Sequence, residues 1–202
     1  MRLLAASVAL TMVILTNVPP SFATAPRIEP GVSLELAQWR AGWVREVRYA
    51  IQLRLMEGQD RISGSLEIGF KLRNTREDLV LDWRGKPVAN LRVNGSPVPV
   101  RIENEHLIVP AKNLKPGANR ITLDFESPVA VSGSAVTRYK DREDGSEYLY
   151  TLLVPADAST LFPCFDQPDL KARFSLELEL PGHWKAVSNG SVEAQAGNTF
   201  KF

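Results

Sequence analysis

Residues 47–72 read VRYAIQLRLMEGQDRISGSLEIGFKL, and the spacing of their apolar side chains decides the fold class. Val47, Tyr49, Ile51, Leu53 and Leu55 alternate with Arg48, Ala50, Gln52, Arg54 and Met56. After the turn-forming EGQDR, Ile62, Leu66, Ile68, Phe70 and Leu72 repeat the same period of two. Successive side chains of a strand point to opposite faces, so the pattern predicts a long antiparallel hairpin with one dry face.

Upstream, Ser33 stands where a helix cap would, and Leu36, Trp39 and Trp43 recur at helical spacing, predicting a short helix that ends near residues 42–44. Tryptophans in such a stripe belong to a core more often than to a ligand platform, so they are expected to pack onto the sheet. Downstream come DLVLDW, then ANLRV joined through Asn94-Gly95 to PVPVRI, then HLIVP, and RITLDFE after Lys115-Pro116-Gly117. EYLYTLLV, FSLELELP and a terminal pair around Asn189-Gly190 follow. Asn-Gly is a strong hairpin signal because both residues tolerate positive φ. Nine to eleven short strands with frequent turns predict an all-β protein, an antiparallel β-sandwich preceded by a short helix. The last hairpin, SVEAQAGNTFKF, stops two or three residues into its return strand, so the chain is expected to end inside an element, as a truncated domain.

The 202 residues are 44% hydrophobic and 23% charged with a formal net charge of +1, and charges of both signs are interspersed. No basic patch suggests nucleic acid or anionic lipid as a partner. The first residues differ: Arg2 precedes the thirteen-residue apolar run LLAASVALTMVIL, and small residues follow Pro19-Pro20. That run covers about 20 Å of a roughly 30 Å hydrocarbon core, too little for a stable span. Residues 1–23 are therefore expected to be a signal peptide cleaved after Ala23, leaving a mature domain of residues 24–202 in the periplasm or outside the cell.

Cys164 is the single cysteine, so no disulfide can form within the chain, and a buried small hydrophobe is expected rather than a nucleophile. H-E-x-x-H, C-x-x-C, glycine-rich phosphate loops and G-x-S-x-G are all absent. His106 and His183 read as ordinary surface or strand-end residues, and two histidines with one cysteine fall short of a structural zinc site. Asp141, Glu143 and Asp144 lack the alternate-residue spacing of a calcium loop and read as a solvated turn. The sequons at Asn94 and Asn189 are accounted for by turn chemistry.

One stretch fits neither period: LFPCFDQPDLKARF, residues 161–174. It closely resembles the F-P-C-F-D-E-P-x-x-K-A-x-F signature of the amino-terminal domain of the aminopeptidase N family of zinc metallopeptidases, through Phe162, Pro163, Cys164, Phe165, Asp166, Gln167, Pro168, Lys171, Ala172 and Phe174. Gln167 stands where glutamate is commoner. VRYAIQLRL, GSLEIGF, LVLDW, VNGSPVPV, LKPGANRITLDF, FSLELELP and AVSNG agree in order, so the resemblance covers residues 31–202.

The resemblance implies a saddle-like sandwich that packs against a downstream thermolysin-like catalytic domain and walls its substrate channel. The zinc, its ligands and the G-x-M-E-N exopeptidase loop would belong to that domain, so no cofactor and no catalytic residue is expected in this chain. The family's amine-anchoring pair falls ten and eight residues before Phe162, on Leu152 and Val154, both apolar. The signature loop is thus expected to be structural, its prolines fixing φ and its phenylalanines filling a seam. Two rivals remain open: a non-catalytic scaffold relative of the family, and an independent secreted binding module.

Overall fold

The Ser33 hydroxyl accepts a hydrogen bond from Leu36 N at 3.1 Å and caps α1 (Leu34–Trp43), satisfying one of the donors that a helix start leaves free. The computed structural model describes residues 25–202, and the expected signal peptide lies outside the described residues. After α1 the chain enters β1 (Val44–Arg54) and β2 (Arg61–Leu72), the predicted hairpin. Its predicted inward residues are buried, Leu55 partly so. A bulge between Arg45 and Arg48, with Glu46 at φ 53°, lets both Val44 and Val47 face inward.

Short strands follow: β3 (Leu79–Asp82), β4 (Ala89–Val93), β5 (Ser96–Pro97), β6 (Ile102–Glu103) and β7 (His106–Val109). Asn94 and Gly95, at φ 52° and 86°, make the predicted turn between β4 and β5. β8 (Gly117–Pro128) pairs with the whole of β2. β9 (Val136–Lys140) and β10 (Glu147–Thr151) form a separate hairpin, α2 (Ala158–Leu161) is a single turn, and β11 (Ala172–Glu179), β12 (Ala194–Ala196) and β13 (Thr199–Lys201) finish the described chain.

The sheets run β12-β13-β11-β1-β2-β8-β4-β5, β3-β7-β6 and β10-β9. The all-β class and the layered sheets are as expected. One pair is not antiparallel: β1 and β11 lie parallel, Tyr49 opposite Phe174. The last hairpin, SVEAQAGNTFKF, forms as expected, with its turn at Gly197-Asn198 between β12 and β13, whereas Asn189-Gly190, expected at the centre of a terminal pair, is a bend outside any strand.

The small three-stranded sheet is the middle layer. All four residues of β3 and of β7 are buried, and alternation divides them between two neighbours. Leu79, Leu81, Leu107 and Val109 join the core beneath the large sheet, with Trp43, Trp83 and Phe125. Val80 and Ile108 pack against Leu36 of α1 instead, with Ile28 and Trp39 at the margin. Asp82 and His106 share that α1-facing side, and Arg40 lies one helical turn beyond Leu36. A charged cluster is thereby carried into the interior.

Candidate functional site

The interior cluster and the loop that follows α2 form one unit. Asp82 and Cys164 exchange backbone hydrogen bonds, Asp82 N to Cys164 O at 2.7 Å and Cys164 N to Asp82 O at 3.1 Å, extending β3 by a single bridge. The Asp82 carboxylate then divides its work. Oδ1 accepts from Arg40 Nη1 at 2.8 Å and lies 3.0 Å from His106 Nδ1, while Oδ2 accepts from Asp166 N at 2.7 Å. Burial alone would raise the Asp82 carboxyl, but the His106 ring and the Arg40 guanidinium outweigh it and hold the group below the usual carboxylate range.

Other bonds fix the rest of the loop. Phe165 N donates to the Tyr49 hydroxyl at 2.9 Å, Ser159 N donates to Asp166 Oδ2 at 2.9 Å, and the Ser127 hydroxyl donates to Leu161 O. Gln167 Nε2 reaches Ala37 O at 2.9 Å and Asp169 Oδ1 at 2.8 Å, tying the loop to α1. Leu161 to Phe165 is an unbroken buried run. Phe162 meets Tyr49 edge-on at 5.6 Å, Phe165 meets Phe70 at 6.3 Å, and the Arg40 guanidinium lies 5.8 Å over the Phe165 ring. With every strong donor of this turn engaged, the loop has the chemistry of a brace. Cys164 fits that role: burial first, then the carboxylates of Asp166 and Asp82, push its thiol well above its ordinary value, the reverse of what a nucleophile needs.

The structure places the expected residues unevenly. Phe162, Pro163, Cys164, Phe165 and Gln167 are buried and Asp166 half-buried, whereas Pro168 and Lys171 are exposed and Ala172 is half-buried at the start of β11. Phe174 corrects the expectation of a filled seam: its ring stacks on Tyr49 at 5.1 Å but stays 60% exposed. The parallel register sets it beside the buried Tyr49 and 6.3 Å from Phe162, yet most of its ring stays in contact with solvent. His106 opens β7, as the strand-end reading expected, but is 0% exposed rather than at the surface. Its cross-strand partner on β3 is Asp82, and that register buries both. The signal was legible in LVLDW and HLIV, where a polar residue interrupts an otherwise apolar strand. His183 is exposed, as expected, 3.7 Å from Glu57. Asp141 and Asp144 turn their carboxylates onto Glu143 N and Ser146 N, both at 2.7 Å, closing the turn between β9 and β10.

Leu152 and Val154 lie immediately after β10. Together with Tyr148 and Tyr150 they are alternate residues, and all four are at least half exposed. The intervening Leu149 and Leu153 pack partly against the core. Tyr139 stands opposite Tyr148 with ring centroids 6.3 Å apart. Thr151 is exposed between Leu149 and Leu153, and the outer side of the segment presents aromatic and aliphatic surface to solvent.

A resident zinc finds no donor set among the described residues: no three His, Cys, Asp or Glu side chains converge. His106 and Asp82 are occupied with Arg40 and the loop instead. Among the same residues, no helix is long and apolar enough to cross a membrane.

Residues 45–201 match the Peptidase M1 N-terminal domain. The chain is 28% identical to glutamyl aminopeptidase of Rattus norvegicus, over 88% of this chain and 22% of that protein. It is 26% identical to aminopeptidase N of Streptomyces lividans, over 86% and 21%. It thus spans about a fifth of the length of the curated relatives it matches. Among solved structures, native leukotriene A4 hydrolase from Saccharomyces cerevisiae shares the fold with a TM-score of 0.66 at 21% identity, over 79% of this chain and 26% of that one. An M1 zinc metallopeptidase from Deinococcus radiodurans does so with 0.61 at 21%, over 79% and 38%. A family match over most of the chain, on a sandwich found again in solved relatives, leads to one conclusion: the chain belongs to the peptidase M1 family and carries its N-terminal domain.

Proposed function

We propose that this chain is the non-catalytic wall domain of an exported zinc aminopeptidase that releases amino-terminal residues from peptides. In this reading residues 1–23 direct export and are removed, residues 24–202 form the sandwich, and the zinc and its ligands belong to a downstream catalytic domain. The outer side of residues 148–154 docks against that domain, and the signature loop holds the segment in place from behind. Apolar Leu152 and Val154 offer no charge partner to a substrate amine, so that contact falls to the catalytic domain.

The observation that carries the reading is the pairing of a buried, hydrogen-bonded loop with a nearby apolar segment left open to solvent. Names of relatives support it: the curated ones are aminopeptidases, and one solved relative is described as a zinc metallopeptidase. Fold alone would not, since sandwiches host many activities.

The test extends the expressed coding sequence through the region downstream of the Phe202 codon. Restoring that region should give chelator-sensitive hydrolysis of an aminoacyl amide, while the 202-residue chain shows none. Turnover by the isolated chain would overturn the reading. A downstream domain with its zinc-binding histidines replaced would favour the scaffold relative, for which the apolar Leu152 and Val154 already speak.

A further inference from the structure

Asn-Gly occurs twice in the chain, at residues 94–95 and 189–190, and the two copies sit in opposite surroundings. The dipeptide is chemically special because glycine places no side chain beside its own backbone nitrogen. That nitrogen can attack the carboxamide carbon of the preceding asparagine, provided the carboxamide is free to swing onto it.

At Asn94 it is not free. Nδ2 donates to Asn113 O at 3.1 Å and to Asn119 Oδ1 at 3.0 Å, while Oδ1 accepts from Arg120 N at 3.1 Å. The backbone is fixed as well: Asn94 N donates to Arg120 O at 2.8 Å, and the turn holds Asn94 and Gly95 at φ 52° and 86°. Turning the carboxamide would break all three side-chain bonds and leave the Arg120 amide without its acceptor.

At Asn189 none of these restraints exists among the described residues. Asn189 and Gly190 are both exposed, and apart from the chain neighbours no heavy atom lies within 4 Å of the point where a side chain on Gly190 would begin. The crossing from β11 to β12 is tied at its ends, by Trp184 N to Pro181 O and Glu193 N to Lys201 O. Over residues 185–192 it makes no backbone hydrogen bond among the described residues. A bend with no ladder of its own can visit the conformation that ring closure needs.

We propose that Asn189 is a modification site that deamidates spontaneously in the folded chain, whereas Asn94, in the same dipeptide, is kept intact by its hydrogen bonds. The Gly190 nitrogen gives up its proton to base and bonds to Asn189 Cγ, the Cγ–Nδ2 bond breaks, and Nδ2 leaves as ammonia. The five-membered succinimide takes up one water at either carbonyl and opens to aspartate or to isoaspartate. Each event consumes one water and releases one ammonia. The product carries a new negative charge a few residues before β12, the edge strand of the large sheet, and its isoaspartate form lengthens the backbone there by one atom.

The test incubates the 202-residue chain in mildly alkaline buffer, natively and in denaturant, and maps it with trypsin. Asn94 falls in the peptide of residues 93–101 and Asn189 in that of residues 186–201, where fragmentation separates it from Asn198. In the native chain a mass gain of one unit, with isoaspartate detected by an isoaspartate-specific methyltransferase, should appear at Asn189 nearly as fast as in a free peptide of residues 186–193. Asn94 should lag by about a hundredfold, the combined effect of three hydrogen bonds of ordinary net strength, and the gap should close in denaturant. The rate at Asn189 should rise with pH and fall severalfold in Gly190→Ala, whose methyl group crowds the attacking nitrogen. Equal native rates at the two asparagines overturn the proposal, as does a native Asn189 that stays intact while the free peptide reacts.

Discussion

The brace at residues 161–167 and the open segment at residues 148–154 are separated by a single turn of helix, yet they solve opposite problems. In the brace the backbone amides of Cys164, Phe165 and Asp166 and the Gln167 side-chain amide nitrogen all bond inside the domain, and Leu161 to Phe165 are buried without interruption. In the segment, Tyr148, Tyr150, Leu152 and Val154 leave half or more of their surface in water. The difference teaches that the unusual composition of the loop serves rigidity, while the plainer strand beside it carries the surface able to meet another body. A sequence motif marks where the chain must be held still, which need not be where it acts.

The largest effect expected from this contrast is kinetic. Cys164, with its thiol pushed up by burial and neighbouring carboxylates, should be labelled only when the domain unfolds. For a domain of ordinary stability, that makes native labelling on the order of a thousandfold or more slower than labelling in denaturant. Rapid labelling of the native chain would mean that the loop opens locally and is no brace.

Asp82→Ala comes next. It strands Arg40 as a buried cation and removes the acceptor for Asp166 N. Leaving a buried charge without its partner costs about 3–5 kcal/mol, a large share of a domain's stability, read as a lower denaturant midpoint. An isolated ion pair could be replaced with apolar residues at little cost. The brace could not, so Arg40→Met combined with Asp82→Leu should stay well below the parent, because Asp166 N still loses its acceptor. The same carboxyl makes the domain sensitive to acid. Its folded value is depressed, so its contribution is present above the ordinary carboxylate range and is lost as pH falls through the folded value.

Tyr49→Phe tests a single bond of the brace. It leaves Phe165 N buried without an acceptor while keeping the ring contacts with Phe162 and Phe174. The expected loss is about 1–3 kcal/mol. A neutral result would show that solvent reaches the amide, and the contrast between loop and segment would weaken.

How much of this was legible depends on the range of each interaction. The β1–β2 hairpin, the Ser33 cap and the Asn94-Gly95 turn rest on neighbours in sequence, and period and turn chemistry find them. The parallel pairing of β1 with β11 joins Tyr49 to Phe174 across most of the chain, and no local pattern encodes it. For the same reason the burial of His106 was not legible, although its place at the start of β7 was: the burial depends on which strand lies opposite. Asp82 in LVLDW was visible as a charge in an apolar strand, but its partners come from α1, β7 and the loop. The last hairpin, SVEAQAGNTFKF, was legible from its Gly-Asn turn, but the pair expected around Asn189-Gly190 did not form, because a turn signal alone does not supply strands to join.

The smallest effect on this chain should come from the open segment, and its smallness carries the meaning. Leu152→Ser and Val154→Ser replace side chains that are 56% and 71% exposed, and surface changes of this kind stay within about 0.5 kcal/mol. Neither side chain is needed for the backbone bond from Leu152 N to Ala135 O, which should persist. The isolated chain should therefore melt unchanged, and should become more soluble as apolar surface is removed. In the longer protein proposed above, the same substitutions would sit in a covered interface, where losing buried apolar area costs about 25 cal/mol per Å². Comparing the two substitutions in both contexts separates the readings. A penalty that appears only when the downstream region is present marks residues 148–154 as a docking face. A penalty in the isolated chain would return Leu152 and Val154 to the core, and equal indifference in both contexts would leave the segment facing solvent and remove the main support for a wall domain.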